Sequence, residues 1–372
     1  MKIGIITDLV DQKCEGIGKY TYNLIKGLNI IDKKNEYNLI HHKKNDLNIY
    51  KSNNETIIPL IKPFGESVWR CLILPYKFRN GGPDIIHDPT DGIGALSFNT
   101  VSKRIITIHD IIPFFFPEYT TKRSWIAHKI LYKKTIENAD MIITDSNSSK
   151  NDIINNFKVP ENKIKVIYIA ADQKYQVLTK EEIKNYKISM GIDFPLILYV
   201  GALDPRKNIT NLLKSFYQVK KKGYNHKLVI VGSIRFNSGQ ISKTIQQLNL
   251  SDDIIITGHL PEKDLPKIYN AADIFVFPSF YEGFGLPPLE AMSCGTPVIS
   301  SNTSSLPEVV GNAGILIDPH NPNELADKII KVISDDSLKQ EMTKKGIKQA
   351  QNFSWVQTAK KTLNTYNEVY EL

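Results

Sequence analysis

Residues 273–301 read "DIFVFPSFYEGFGLPPLEAMSCGTPVISS". The stretch opens with an apolar run, "DIFVFPS" (273–279), and closes with another, "PVISS" (297–301). Neither run alternates with polar residues, so each reads as a strand buried on both faces, which implies a parallel sheet covered by helices. Pro287 and Pro288 suit the first turn of a helix, where amide donors have no intrahelical partner. Strand, loop, helix and strand thus follow in order, and the loop leaves the carboxyl edge of the sheet, where α/β proteins hold ligands. Glu282 and Glu290, with seven residues between them, flank its Gly–Phe–Gly–Leu interior. Gly283 and Gly285 permit close backbone approach. The amides at the helix start favour an anion, while carboxylates accept well from vicinal hydroxyls. A ligand with sugar hydroxyls on both sides of a phosphate would use every part.

The same alternation extends in both directions. One strand series comprises "KIGIIT" (2–7), "DIIH" (84–87), "RIITIHD" (104–110) and "MIITDS" (141–146). A second comprises "LILYVGA" (196–202), "KLVIVG" (227–232), "IIITG" (254–258), and the two strands of the opening stretch. Helical spacing fills the gaps, as in "NITNLLKSFYQVKKKG" and "NELADKIIKVISDD". The pattern predicts an α/β protein with two doubly wound, Rossmann-like domains facing across a cleft. The break falls near 166–182, giving domains of residues 1–171 and 172–353. The tail, 354–372, is an amphipathic helix with no strand after it and a candidate to cross back onto the first domain.

Composition narrows the function. The chain has 372 residues, 41% hydrophobic and 23% charged, with a net charge of +8. No apolar run reaches the roughly 18 residues of a membrane span. "MKIGIITDLV" reads as a first strand rather than a signal peptide. Three scattered cysteines, Cys14, Cys71 and Cys294, offer neither a disulfide framework nor metal spacing, which suits a reducing, cytoplasmic setting. Residues 1–171 hold 24 Lys+Arg against 18 Asp+Glu, a balance that attracts phosphorylated ligands or acidic lipid surfaces. No nucleic-acid motif accompanies it. The most basic run, "KRSWIAHKILYKK" (122–134), reads as a solvated helix face, with peripheral membrane contact as the rival reading.

Three further stretches carry candidate chemistry. In "VGALDPRKN" (200–208), Arg206 and Lys207 follow a buried strand and can neutralise a diphosphate. In "CEGIGKYTYNL" (14–24), Gly16 and Gly18 lead into a helix; the spacing is not a dinucleotide fingerprint. In "TIHDIIPFFFPEY" (107–119), His109 ends a strand, where it could donate to a substrate hydroxyl or be a satisfied buried group. His87, ending "DIIH", is equally ambiguous.

"EGFGLPPLEAMSCGTPV", "GALDPRKN", "EGIGKY" and "IHD" together resemble glycosyltransferase family 4, with its GT-B fold. The resemblance implies a retaining transfer of a hexose, mannose from GDP-mannose foremost, to a saccharide or lipid-linked acceptor in surface glycan synthesis. It places Glu282 near the sugar hydroxyls, Glu290 on the ribose, and Arg206 and Lys207 on the diphosphate. The amides of Phe284, Gly285 and Leu286, with Gly16, Gly18 and Gly283, would support the donor, and His109 would touch its sugar. No metal and no cofactor are implied beyond the donor substrate. Many members carry Arg directly after the glycine of the "VG" strand end; here that residue is Ala202, so Arg206 must share the phosphate with Lys207. Acceptor contacts are expected around Trp69, Asp91 and Phe114. The rival functions are a sugar-nucleotide epimerase or hydrolase, and a non-catalytic sugar-nucleotide-binding subunit; the missing fingerprint speaks against a dehydrogenase.

Overall fold

The computed structural model describes residues 1–12, 16–60, 69, 73–91, 102–116, 125, 132–233 and 238–372. Cys14, Cys71 and most of the basic run 122–134 lie outside the described residues. The chain divides into two units, one of residues 1–169 with 354–372, the other of residues 170–353.

In the first unit the strands are β1 (Lys2–Ile6), β2 (Glu36–His41), β3 (Asn54–Ile57), β4 (Ile85–Asp88), β5 (Lys103–Ile108), β6 (Met141–Thr144) and β7 (Ile164–Val166). They form one sheet in the order β3-β2-β1-β4-β5-β6-β7, every described pairing parallel. The order reverses at β1, as in doubly wound folds. Isoleucines 6, 86, 106, 108 and 142 fill one core cluster. Trp69 belongs to that core: it is fully buried and its Nε1 donates to the Ile58 carbonyl at 2.6 Å. It therefore cannot serve as the acceptor contact expected from the sequence. Phe114 packs against Tyr132 and Phe157, also at the margin of the core.

The helix Trp355–Glu371 packs in this unit. Ser354 caps it by accepting from Gln357 N–H, and it meets the helix Ile17–Ile31 closely. A methyl added at Gly27 would lie 2.9 Å from Ala359 Cβ and 2.9 Å from the Trp355 carbonyl oxygen. Thr358 Oγ1 donates to the Tyr168 carbonyl at 2.7 Å, and Lys165 pairs with Glu368 at 2.8 Å.

In the second unit the strands are β8 (Leu196–Val200), β9 (Lys227–Val231), β10 (Ile254–Gly258), β11 (Ile274–Phe277), β12 (Val298–Ser301) and β13 (Ile315–Ile317). Their order is β10-β9-β8-β11-β12-β13, again parallel, reversing at β8. Leu196, Leu198, Leu228, Ile230, Val276 and Ile299 are buried, as are Leu212, Phe216, Leu325 and Ile329 on flanking helices. Thr179 and Glu182 form a capping box at the helix Lys180–Ser189, and the Asn321 side chain caps the helix Pro322–Ile333. The loops after β8 and β9 approach so closely that a methyl on Gly232 would sit 1.9 Å from the Gly201 carbonyl oxygen.

Candidate functional site

In the second unit the candidate site grows from one topological fact. β8 and β11 are neighbouring parallel strands, so the loops leaving their carboxyl ends come together. After β8, Pro205–Lys207 make a single 3-10 turn and Asn208 follows in the left-handed region, φ 60°. The Asn208 side chain donates to the carbonyls of Pro278 (3.0 Å) and Pro319 (2.7 Å), and Phe280 N–H donates to the Arg206 carbonyl at 2.9 Å. The two loops are thereby tied as one piece.

On that frame both cations meet Glu282. Lys207 Nζ donates to Oε1 at 2.7 Å and Oε2 at 2.9 Å; Arg206 Nη1 stands 3.0 Å from Oε2 and also donates to the Tyr281 carbonyl. The three side chains are only 11–13% exposed, so water screens them little and their mutual attraction is strong. Burial opposes charge on Glu282, but Lys207 and Arg206 outweigh it and hold the carboxyl below its usual range. Lys207 is lowered by burial, with Arg206 adding to this and Glu282 opposing. Lys207 also lies 5.2 Å over the Phe277 ring. Asp204 Oδ2 also lies 3.8 Å from Arg206 Nη2, so the cluster sets two cations against two carboxylates.

The helix Leu286–Ser293 starts beside this cluster in the chain. Gly285 caps it at φ 118°, with no side-chain cap, and a methyl there would lie 2.9 Å from Leu306. Only glycine adopts that conformation at little cost. Ser305 Oγ lies 2.9 Å from the Glu282 carbonyl oxygen and 2.6 Å from that of Phe284, its one proton serving both, and Ser304 Oγ accepts from Glu282 N–H at 2.9 Å. These two serines fix the Glu282–Gly285 turn and carried no signal of their own in the sequence. The Phe284 ring is buried, edge-on to Phe353 at 5.8 Å, which leaves only its backbone for a ligand. Glu290 is 8% exposed. Its Oε2 accepts from Tyr269 O–H at 3.0 Å, and Tyr175 also bonds to it. Neither tyrosine carried a sequence signal; Tyr269 lies 21 and Tyr175 115 positions away.

In the first unit, β4, β5 and β6 end side by side. His109 follows β5, Asp145 follows β6 and Asp91 lies beyond β4. His109 Nδ1 is 2.6 Å from Asp145 Oδ2, Nε2 is 3.1 Å from the Pro89 carbonyl oxygen, and its backbone N–H donates to Asp91 Oδ1 at 2.9 Å. Both ring nitrogens thus have partners, and donation to a substrate hydroxyl would require one of these bonds to open. Asp91 sits at φ 60°; burial raises its carboxyl above the ordinary range, His109 opposing and Asp110 and Asp145 adding. Tyr20 stands edge-on to the His109 ring at 4.6 Å. His87 is a buried structural group: Nδ1 meets Tyr366 Oη at 2.7 Å and Nε2 meets Thr107 Oγ1 at 2.8 Å. Gly16, φ 52°, caps the helix Ile17–Ile31. A methyl on Gly18 would lie 2.6 Å from the Leu9 carbonyl oxygen, so Gly18 is needed for packing.

Comparison with known proteins bears on this geometry. The model for "Glycosyltransferase Family 4" matches residues 15–174, and that for "Glycosyl transferases group 1" matches residues 180–349. O-antigen chain mannosyltransferase B of Escherichia coli is 31% identical, over 98% of this chain and 99% of its own. Sucrose-phosphate synthase from Thermosynechococcus elongatus superposes with a TM-score of 0.78 at 22% identity, covering 100% of this chain and 99% of that one. HepE of Anabaena, solved with UDP and glucose, superposes with a TM-score of 0.77 at 20% identity, covering 99% and 100%.

Proposed function

The chain belongs to the glycosyltransferases of family 4, an α/β family with the GT-B fold, and on that premise we propose that it moves mannose from GDP-mannose, with retention, to a saccharide or lipid-linked acceptor. The observation that carries this reading is the pairing of Arg206 and Lys207 with Glu282 at the joined ends of β8 and β11. Breaking a sugar–phosphate bond leaves an oxocarbenium-like sugar and a developing diphosphate anion. Two nearly buried cations and an adjacent helix start are suited to that anion, and they are already held in place before it forms. Glu282 would exchange its hold on the cations for hydroxyls of the sugar. Glu290, steadied by Tyr269 and Tyr175, would accept from the ribose. The departing phosphate oxygen can take the acceptor's proton on the same face, so the product keeps the donor's anomeric configuration.

Mannose is supported by the E. coli relative named as an O-antigen mannosyltransferase. A nucleotide-sugar donor is supported by the solved relative with UDP and glucose. The side-chain cations supply the charge that a metal would otherwise supply, so the proposal includes neither metal nor cofactor. His109, Gly16 and Gly18 enter it as residues whose substitution slows transfer. Among the described residues no helix is long and apolar enough to cross a membrane. The enzyme would work in the cytoplasm with peripheral contact at the inner face of the membrane, where its net charge of +8 would meet anionic lipid.

The test is incubation of the purified protein with labelled GDP-mannose and a panel of saccharide and lipid-linked acceptors, reading product and anomeric configuration. Transfer with retention supports the reading. Rapid consumption of GDP-mannose without acceptor would instead favour an epimerase or hydrolase.

A further inference from the structure

The carboxyl ends of β4, β5 and β6 hold a cluster whose hydrogen bonds restrict its protonation. The Pro89 carbonyl oxygen can only accept, so His109 Nε2 must carry a proton to bond it at 3.1 Å. Asp145 Oδ2, at 2.6 Å, accepts from Nδ1 when it is a carboxylate. Asp145 is 3% exposed, and among the described residues its Oδ1 has no hydrogen-bond partner. A buried carboxylate with one oxygen unsatisfied is costly unless a cation lies against it. Among the described residues, His109 is the group in contact that can carry that charge, its Nδ1 2.6 Å from Oδ2.

We propose that Asp145 is a positioning residue that fixes His109 as an imidazolium with both N–H groups committed inside the first unit. His109 then contributes a fixed positive charge and anchors the Asp91 loop, and it does not exchange a proton during turnover. The functional half of this inference rests on the mannosyl-transfer reading; the protonation half does not.

The described residues around it agree with this. Burial alone would lower the imidazole, but Asp145, by charge and by hydrogen bond, then Asp91 and the Pro89 carbonyl, push it up to about 10. Asp110 is the next residue along the chain and adds to the acidic surroundings. His87, on β4, faces the same region and is held down to about 3 by burial and by the His109 charge, so it stays neutral. Tyr20 is pushed up by burial and by Asp145, and it presents its ring to His109 as a neutral phenol. Ser149 Oγ donates to the His109 carbonyl at 3.0 Å, holding the backbone as well.

The experiment is long-range proton–nitrogen NMR on the full chain labelled with nitrogen-15 histidine, from pH 6 to 9, with His109 assigned by its loss in His109→Gln. The expected spectrum shows both His109 ring nitrogens protonated throughout. A neutral tautomer at pH 8, or a midpoint inside this range, overturns the proposal whatever reaction the protein catalyses. In Asp145→Asn the His109 signal should titrate near or below the ordinary histidine range, about 6.5. The kcat profile of that variant should fall with rising pH across the same range, with KM for GDP-mannose changed less than threefold. An unchanged kcat profile despite a titrating His109 would overturn the functional half alone. If Asp145→Asn does not fold, the wild-type spectrum still decides the protonation half, and kcat of folded His109→Gln decides the other: a fall of tenfold or more supports the fixed charge, and an unchanged kcat overturns it.

Discussion

Lys207 Nζ donates to both oxygens of Glu282, at 2.7 and 2.9 Å, across 75 residues of sequence. The contact exists because β8 and β11 are adjacent and parallel, and because Asn208 ties their following loops together. Its first consequence is for stability. Removing Glu282 strands two nearly buried cations, which costs about 3–5 kcal/mol; removing Lys207 costs less, because Arg206 still faces the carboxylate, and removing both costs less than the sum. Glu282→Ala and Lys207→Ala should each lower the denaturation midpoint, and the double variant should lose less than the two added. Additive losses in urea denaturation would deny the coupling.

The pair also has a pH signature. The folded-state pKa of Glu282 is depressed, so its contribution is present above the ordinary glutamate range and is lost as pH falls through the folded value. Stability of the wild type should therefore decline below about pH 4.3 more steeply than that of Glu282→Gln. Parallel declines in the two proteins would show that the carboxylate is not held by its cations.

Glu290 offers a separable test. Tyr269→Phe deletes one hydrogen bond to a buried carboxylate, worth roughly 1.5–3 kcal/mol. If Glu290 accepts from the donor's ribose, that loss should raise KM for GDP-mannose about tenfold and leave kcat within a factor of three. A change in kcat alone would place Glu290 elsewhere in the reaction.

Gly232 tests the backbone frame without touching a charged group. Its φ is 149°, and a methyl there would stand 1.9 Å from the Gly201 carbonyl oxygen. Gly232→Ala must therefore displace the strand end that carries the Arg206 loop. The expected outcome is loss of more than about 3 kcal/mol. A midpoint within a degree of wild type would contradict the close approach.

The alternating apolar runs made most of the fold legible. "DIFVFPS", "LILYVGA" and "RIITIHD" are buried on both faces, and periodicity reads such strands well. β2, β3, β7 and β13 gave no comparable signal. "EYNLIH" and "NETI" mix polar residues into the run, and "IKV" and "ILI" are three residues long, too short for any period to register. At the site, Glu282, Glu290, Arg206 and Lys207 stood out because their loops carry glycine, proline and charge at strand ends. Asp145, Tyr269, Tyr175, Ser304 and Ser305 did not, because each acts by meeting a residue distant in sequence. Trp69 misled for a related reason: an aromatic beside polar residues reads alike whether it lines a site or fills a core.

The most direct measurement is the single-turnover rate of mannosyl transfer from GDP-mannose by Lys207→Ala, alongside wild type, with folding verified by its melting curve. The expected result is a fall of about 10²–10³, equivalent to roughly 3–4 kcal/mol of lost stabilisation of the leaving diphosphate. A folded Lys207→Ala protein that transfers mannose at near the wild-type rate would contradict the role given to the cation pair.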